Sequence, residues 1–457
     1  KRGANGTTAA IHSSGATVTD ASNFFTWNGT TSGDIVTAPG LWSLDNFGNT
    51  LIATISGGET FEWDSDPTTA TETRATLLAN APTASAFSLV STPDRHLIFF
   101  GTETTIGTKS TRDEMFIRFS DQENIDSTTS YAPSATNTAG TQRLADGSKI
   151  VGAIRGRDAI YVWTDTALFI MRFVGSPFTF SFQQVGTNCG LIGKNAAVEV
   201  DGSAYWMSEN GFFRYTGKLE SLPCLVEDHV YDDINTIPKQ HINAGLNNLF
   251  GEVMWFYPNS GSGTVNRMVC YNYLDSTPER PVWTVGTLAR SAWQDSAVFG
   301  QPHATEYNSS STTAASGKDH VVGCTDGTST YFEHEKGLDQ VKEGATSSIT
   351  ANIESGDFDI GAEGLNGDGE FIMKIRRVLP DFLSQTGDTR VTLNLRDFPN
   401  DSEVSSSLGP FTITSSTQKI DTRARARSIS LKIDNTSTSQ FWKVGTFRID
   451  YQPDGRR

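Results

Sequence analysis

Residues 186–217 read GTNCGLIGKNAAVEVDGSAYWMSENGFFRYTG, and two incompatible structures fit those letters. One is a reactive thiol, Cys189, set among carboxylates and aromatics. The other is a run of short strands. Val198 and Val200 share one strand face, and Asp201-Gly202 is the two-residue signal of a tight hairpin. Ala204 and Trp206 continue the alternation, and Asn210-Gly211 turns the chain into FFRY. The pattern predicts strands near 196–200, 203–207 and 212–215, with turns at 201–202 and 209–211. A nucleophilic thiol needs a His base or a nearby cation to lower its pKa. The seven histidines, among them His229, His241 and His303, show no partner pattern, and no strand-to-helix elbow frames Cys189. On this reading Cys189 is a buried thiol leading into a meander, and Glu209 sits at a turn.

The composition agrees with strands. Among 457 residues there are 42 Gly and 16 Pro, while charged residues make up only 19% and aromatics 10%. That is poor material for solvated amphipathic helices and good material for pleated, ring-packed surfaces. Period-2 stretches recur in six groups, at 42–64, 87–119, 149–175, 195–216, 242–285 and 320–335, the last turning at Asp326-Gly327. Repeated short antiparallel meanders bury their faces only against neighbours, which predicts a β-propeller of about six irregular blades over 42–345. Polar connections at 126–142 and 306–319 are long enough to be functional, contact-making or disordered. Segments 225–235 and 337–344 read as short helices. From about residue 349 a strand series without the earlier aromatic pairing predicts a second, sandwich-like β unit over 346–457, or else strands that close the propeller.

Residues 1–41 form a polar segment that lacks the apolar core of a secretory signal and does not begin with Met, so a processed or incomplete N-terminus is expected. No run of 18 apolar residues predicts a membrane span. Cys189, Cys224, Cys270 and Cys324 lack CxxC spacing, which argues against zinc and against a disulfide framework. A formal net charge of −16 is the opposite of a phosphate-binding footprint.

Three further clusters carry possible chemistry. Glu209, Asp228, Asp232 and Asp233, or Asp121 and Glu123, supply carboxylates for a glycosidase if the fold pairs them. Asp357, Asp359 and Glu363 alternate as calcium ligands do, although the EF-hand spacing fails and the neighbouring Asn-Gly and Asp-Gly read as turns. In TRARARS (422–428), Arg423, Arg425 and Arg427 point to one face if the tract is a strand, and like charges in a row need compensation. Carboxylates of a neighbouring strand or subunit would supply it, or DNA phosphates, since the Arg fork pairs with either. No cofactor or metal is expected.

Several long stretches carry a resemblance: LWSLDNFGNTLIATISGGETFEWD, IRFSDQEN, ATNTAGTQRLADGSKIVGAIRGRDAIYVWTDTALFIMRFVGSPFTFSFQQVGTNCGLIG and GTFRIDYQPDGRR. From about residue 41 to the C-terminus the chain resembles the tail nozzle, or packaged-DNA stabilisation, proteins of short-tailed bacteriophages. The resemblance implies a non-enzymatic virion protein, assembled in the host cytoplasm into a homohexameric ring of propeller subunits. Such a ring sits in the tail beneath the head-to-tail adaptor, near tail fibres or spikes, and is closed by a needle or plug. Double-stranded DNA is retained behind it and passes through it at ejection. The family supplies no catalytic residues to carry over. Arg423, Arg425 and Arg427 are then candidates for a subunit interface or the DNA lumen. The competing readings are a virion-borne glycan-degrading propeller, a receptor-binding tail component, and a DNA-gripping protein working through those arginines.

Overall fold

In a computed structural model, residues 42–64, 75–92, 94–296, 300–308, 328–342, 345–361, 364–365, 367, 369–398 and 406–456 are described. The chain divides into two compact units, the first ending at Glu335 and the second beginning at Lys336. The first is a succession of antiparallel meanders. The first sheet contains β1 (Trp42–Phe47), β2 (Thr50–Ile55), β3 (Thr60–Asp64) and β4 (Thr76–Leu77), and the second β5 (Phe87–Ser91), β6 (His96–Phe100), β7 (Phe116–Phe119) and β8 (Gly140–Arg143). The third contains β9 (Ile150–Arg155), β10 (Ile160–Thr164), β11 (Ala167–Gly175) and β12 (Thr179–Thr187), and the fourth β13 (Ala197–Val200), β14 (Ser203–Ser208), β15 (Gly211–Tyr215) and β16 (Leu219–Ser221). The fifth contains β17 (Asn243–Asn247), β18 (Glu252–Tyr257), β19 (Arg267–Asn272) and β20 (Trp283–Gly286). The sixth contains β21 (Ala292–Gln294), β22 (His303–Asn308) and β23 (Thr328–Glu333). The Asp326-Gly327 turn expected before β23 lies outside the described residues.

The opening stretch is the fourth sheet. Asp201 and Gly202 both take positive φ, 49° and 83°, the conformation a two-residue hairpin demands. Strand β16, absent from the sequence reading, completes the sheet by pairing Arg214 with Glu220. Gly190 lets the approach to this sheet pass the turn after β10, since a Cβ there would lie 2.0 Å from the Asp165 carbonyl oxygen.

Alternation along the second strand of each sheet explains the packing. Leu97 and Phe99 of β6 join the core shared with the first sheet, whereas Ile98 and Phe100 join the core shared with the third. Ile160 and Val162 of β10 face the second sheet, while Tyr161 and Trp163 join Trp206 of the fourth. Val253, Trp255 and Tyr257 of β18 belong to that same core, and Met254 and Phe256 turn toward Trp293 of the sixth sheet. Packing between sheets runs from β1 to β5, β9, β13, β17 and β21 in order, so the first strands are neighbours. Asp45 of β1 accepts from the Val90 amide at 2.8 Å and from Arg155 of β9 at 2.9 Å, which ties three first strands together.

The polar connection 126–142 is anchored at Tyr131: buried Arg118 donates to the Tyr131 carbonyl at 2.8 Å, and the Tyr131 hydroxyl donates to the Ile125 carbonyl at 2.7 Å. Residues 309–319 of the other long connection lie outside the described residues. Helix α1 (Glu227–Asp233) forms within the expected 225–235.

The second unit corrects the other expected helix. Residues 339–342 form β24 (Asp339–Lys342), a strand paired with β25 (Ala345–Ser348) from Asp339 opposite Ser348 to Lys342 opposite Ala345. Asp339 also accepts the Ser439 amide at 2.7 Å, a contact within the second unit. Beyond it come β26 (Asn352–Glu354), β27 (Ile360–Gly361), β28 (Gly364–Leu365), β29 (Met373–Leu379), β30 (Phe382–Thr386), β31 (Thr389–Arg396), β32 (Ser406–Ile413), β33 (Ile420–Ala426), β34 (Ser428–Asp434), β35 (Phe441–Val444) and β36 (Arg448–Pro453). Sheets ordered β26-β34-β31-β32 and β33-β29-β36 contribute Ile429, Val391, Leu393, Ile375 and Ala424 to one core.

Phe212 is fully buried against Trp255 and Trp283, with ring centroids 4.9 Å away in each case. Phe212→Ala is expected to lower stability by about 3–5 kcal/mol in urea unfolding. Phe178→Ala, at a position 76% exposed, should change it by no more than about 0.5 kcal/mol.

Candidate functional site

Cys189 has no catalytic surroundings. It is fully buried, its carbonyl accepts the Trp206 indole at 2.8 Å, and burial pushes its thiol up to about 11. Cys224 rises to about 11 and Cys270 to about 12 for the same reason. Cys324 lies outside the described residues.

The carboxylates are dispersed into separate contacts. Glu209 pairs with Lys239, and Asp233 with Arg267 at 3.1 Å, while Asp228 and Asp232 are exposed on α1. Asp121 accepts the Thr138 amide and hydroxyl, each at 2.8 Å, and Glu123 pairs with Arg95 at 3.6 Å. Asp357 pairs with Arg396 at 3.1 Å, and Glu363 lies outside the described residues. No group of three His, Cys, Asp or Glu able to hold a metal ion occurs among the described residues.

Two buried clusters were not legible in the sequence. His96 contacts Asp94 Oδ2 through Nδ1 at 2.8 Å and Thr138 Oγ1 through Nε2 at 3.1 Å, and Ser91 Oγ donates to Asp94 Oδ1 at 2.5 Å. The series Asp94–His96–Thr138 has the order of a hydrolase triad. Its hydroxyl is already engaged, however, because Thr138 Oγ1 donates to Asp121 and accepts the Gln122 amide at 2.8 Å. Phe119, Phe173 and Phe180 surround the imidazole, and the cluster fastens the 126–142 connection to β6.

The second cluster lies in the sixth sheet. Arg290 is 4% exposed, lies 4.0 Å from the Phe332 ring centroid and pairs with Glu306 at 3.4 Å. Its Nε donates to His334 Nε2 at 2.8 Å, which requires that nitrogen to be an unprotonated acceptor. Burial, then the Arg290 charge, then His303 hold His334 down to about 4.

The basic tract is only partly as expected. In β33, Ala424 and Ala426 point into the core while Arg423 and Arg425 are exposed on the opposite face. Arg427 departs from that row. The strand ends at Ala426, and Arg427 is half-buried, donating to the carbonyls of Gly369 at 2.7 Å and Asp397 at 3.2 Å. Arg425 pairs with Asp454 at 2.6 Å, so compensation from within the same unit reaches one arginine of the exposed two. The neighbouring strand β29 adds exposed Arg376 and half-exposed Lys374, with Lys374 directly across the ladder from Arg425. These charges, first through the Arg425 hydrogen bond, hold the Asp454 carboxyl below its ordinary range. This cationic sheet face is the candidate functional surface, and side chains of this kind are able to pair with an anion.

No family model matches the chain, and no curated protein matches it. Similar solved structures include the computationally designed Ika8 protein, with 11% identity over 64% of this chain and 70% of that one, at a TM-score of 0.34. Another is apo AztD from Citrobacter koseri, with 7% identity over 54% of this chain and 72% of that one, at a TM-score of 0.29. Likeness at this level bears on neither activity nor partners.

The thiol environments predict that Cys189 and Cys270 stay unlabelled by a disulfide reagent at pH 8 until denaturant is added, as read by peptide mass mapping. For His334 the folded pKa lies below the unfolded one, so the unfolded chain binds the proton more readily. The stabilisation is therefore complete above about pH 6.5 and lost as pH falls toward about 4. Urea midpoints should record a loss on the order of 2 kcal/mol after allowing for partial exposure. In His334→Gln, whose amide oxygen still accepts from Arg290, this part of the pH dependence should disappear.

Proposed function

We propose that the chain is a structural subunit of a bacteriophage tail nozzle, a ring that holds packaged DNA and passes it at ejection. In this reading the six meanders are the blades of an irregular β-propeller, and the C-terminal unit is a sandwich-like attachment domain. The observation that carries the proposal is the order of the sheets. Each is a meander, successive first strands are neighbours, and the second strands of the second, third and fifth sheets are apolar on both faces. That is the packing a closed radial array requires. The dispersal of the candidate carboxylates into separate ion pairs removes the geometry a two-carboxylate glycosidase needs.

Charge supports a passive conduit. The 335 residues of the first unit carry 20 Lys and Arg against 35 Asp and Glu, a net −15; those of the second carry 16 against 17, a net −1. An acidic wall repels duplex DNA at short range and so does not hold it in transit. The head-to-tail adaptor, the needle or plug and the fibres are proposed partners on the same reading. The test is genetic and structural. Phage particles assembled without this chain should fill with DNA and then lose it, and antibody to the chain should decorate the tail of complete particles. Particles that retain DNA without the chain, or decoration confined to the capsid shell, would contradict the proposal.

A further inference from the structure

We propose that the solvent face of the β33-β29-β36 sheet docks against the acidic first unit of a second copy of this chain. The inference rests on the ring reading and deepens it by naming a surface that joins the copies.

Across the ladder, Lys374 lies opposite Arg425, and Arg376 sits in the bulge opposite the Thr422–Arg423 stretch. On the far side of Lys374 the third strand offers Gln452, a neutral residue. Four cations therefore share one end of the sheet with one carboxylate, Asp454, which Arg425 already engages. The side chains of Lys374, Arg376 and Arg423 make no hydrogen bond or close ion pair among the described residues. At the other end the charges are matched, with Arg377 between Asp421 at 2.9 Å and Asp450 at 3.7 Å. Like charges placed directly opposite weaken a ladder, and one exposed ion pair compensates little. Folding gains nothing from this arrangement, whereas a polyanionic partner does.

Charge complementarity selects the partner. The first unit carries nearly all of the chain's negative charge, and it is supplied wherever a second copy is present. Duplex DNA is the other polyanion, and its binding is an outcome that the experiment separates from self-association. Arg forks donate bidentately to carboxylates, and a contact between unlike surfaces of identical chains is the kind that closes a ring.

The experiment uses the full-length chain. Isotopically light and heavy copies are mixed and treated with a zero-length carbodiimide, and self-association is followed by sedimentation at about 50 and about 500 mM salt. Lys374 of one copy should couple to a carboxylate within residues 42–335 of the other, and association should weaken at least about tenfold at the higher salt. Arg376→Glu with Arg423→Glu should abolish association without changing the unfolding midpoint. Arg376→Gln with Arg423→Gln, a gentler change, should weaken it. Association unchanged in both variants, or coupling confined to single copies or to the second unit, overturns the docking face and leaves the ring reading standing. A wild-type chain that never self-associates overturns both. Duplex binding that is lost in the variants while association persists assigns the face to DNA and overturns the proposal.

Discussion

The first unit depends on one constraint: the second strands of its second, third and fifth sheets, β6, β10 and β18, are apolar on both faces, so none of these sheets can fold without a neighbour on each side. Trp163 of the third sheet meets Trp206 of the fourth with ring centroids 5.3 Å apart, and Phe212 of the fourth meets Trp255 of the fifth at 4.9 Å. The indole hydrogens of Trp255 and Trp293 are part of the same joint. Trp255 donates to the Ala196 carbonyl at 3.0 Å and Trp293 to the Leu246 carbonyl at 2.8 Å, each tying its sheet to the one before. Satisfying the N–H in this way offsets the cost of covering these two rings, whereas the fully buried Trp163 has no partner for its indole nitrogen. Stability is therefore shared between sheets, and damage at one joint is felt by two.

The second unit works differently. Its core is smaller and aliphatic, and ion pairs brace its strands from outside, as where Arg390 grips Asp434 through two bonds of 2.7 Å. Charge is also divided unequally between the two units. The first concentrates the acid, while the second is close to neutral and gathers its cations on one sheet face. Nothing within the second unit uses that face fully, which is why it reads as a surface made for a partner.

Legibility in the sequence followed the range of each interaction. The hairpins of 197–215 were readable because alternation and Asp-Gly are local signals, and α1 was readable for the same reason. The outer strand β16 was missed because its three residues are too few to carry a period. Segment 337–344 was misread because a charged octapeptide ending in Gly fits one helical turn as well as a hairpin. His96 and Thr138 are 42 residues apart, and Arg290 and His334 are 44 apart, so no spacing could announce either cluster. The arginine tract was half legible. Strand alternation gave Arg423 and Arg425 a common face, but the end of the strand at Ala426 and the cations on β29 are tertiary facts.

The central claim is that this chain is built to form a ring around a passage for duplex DNA. A cryo-EM reconstruction of the self-assembled full-length chain tests it most directly. The account predicts a closed ring of six copies whose subunits are six-bladed and whose lumen is open and wide enough for duplex DNA. A monomer at every concentration, or an assembly with no through-channel, would contradict it.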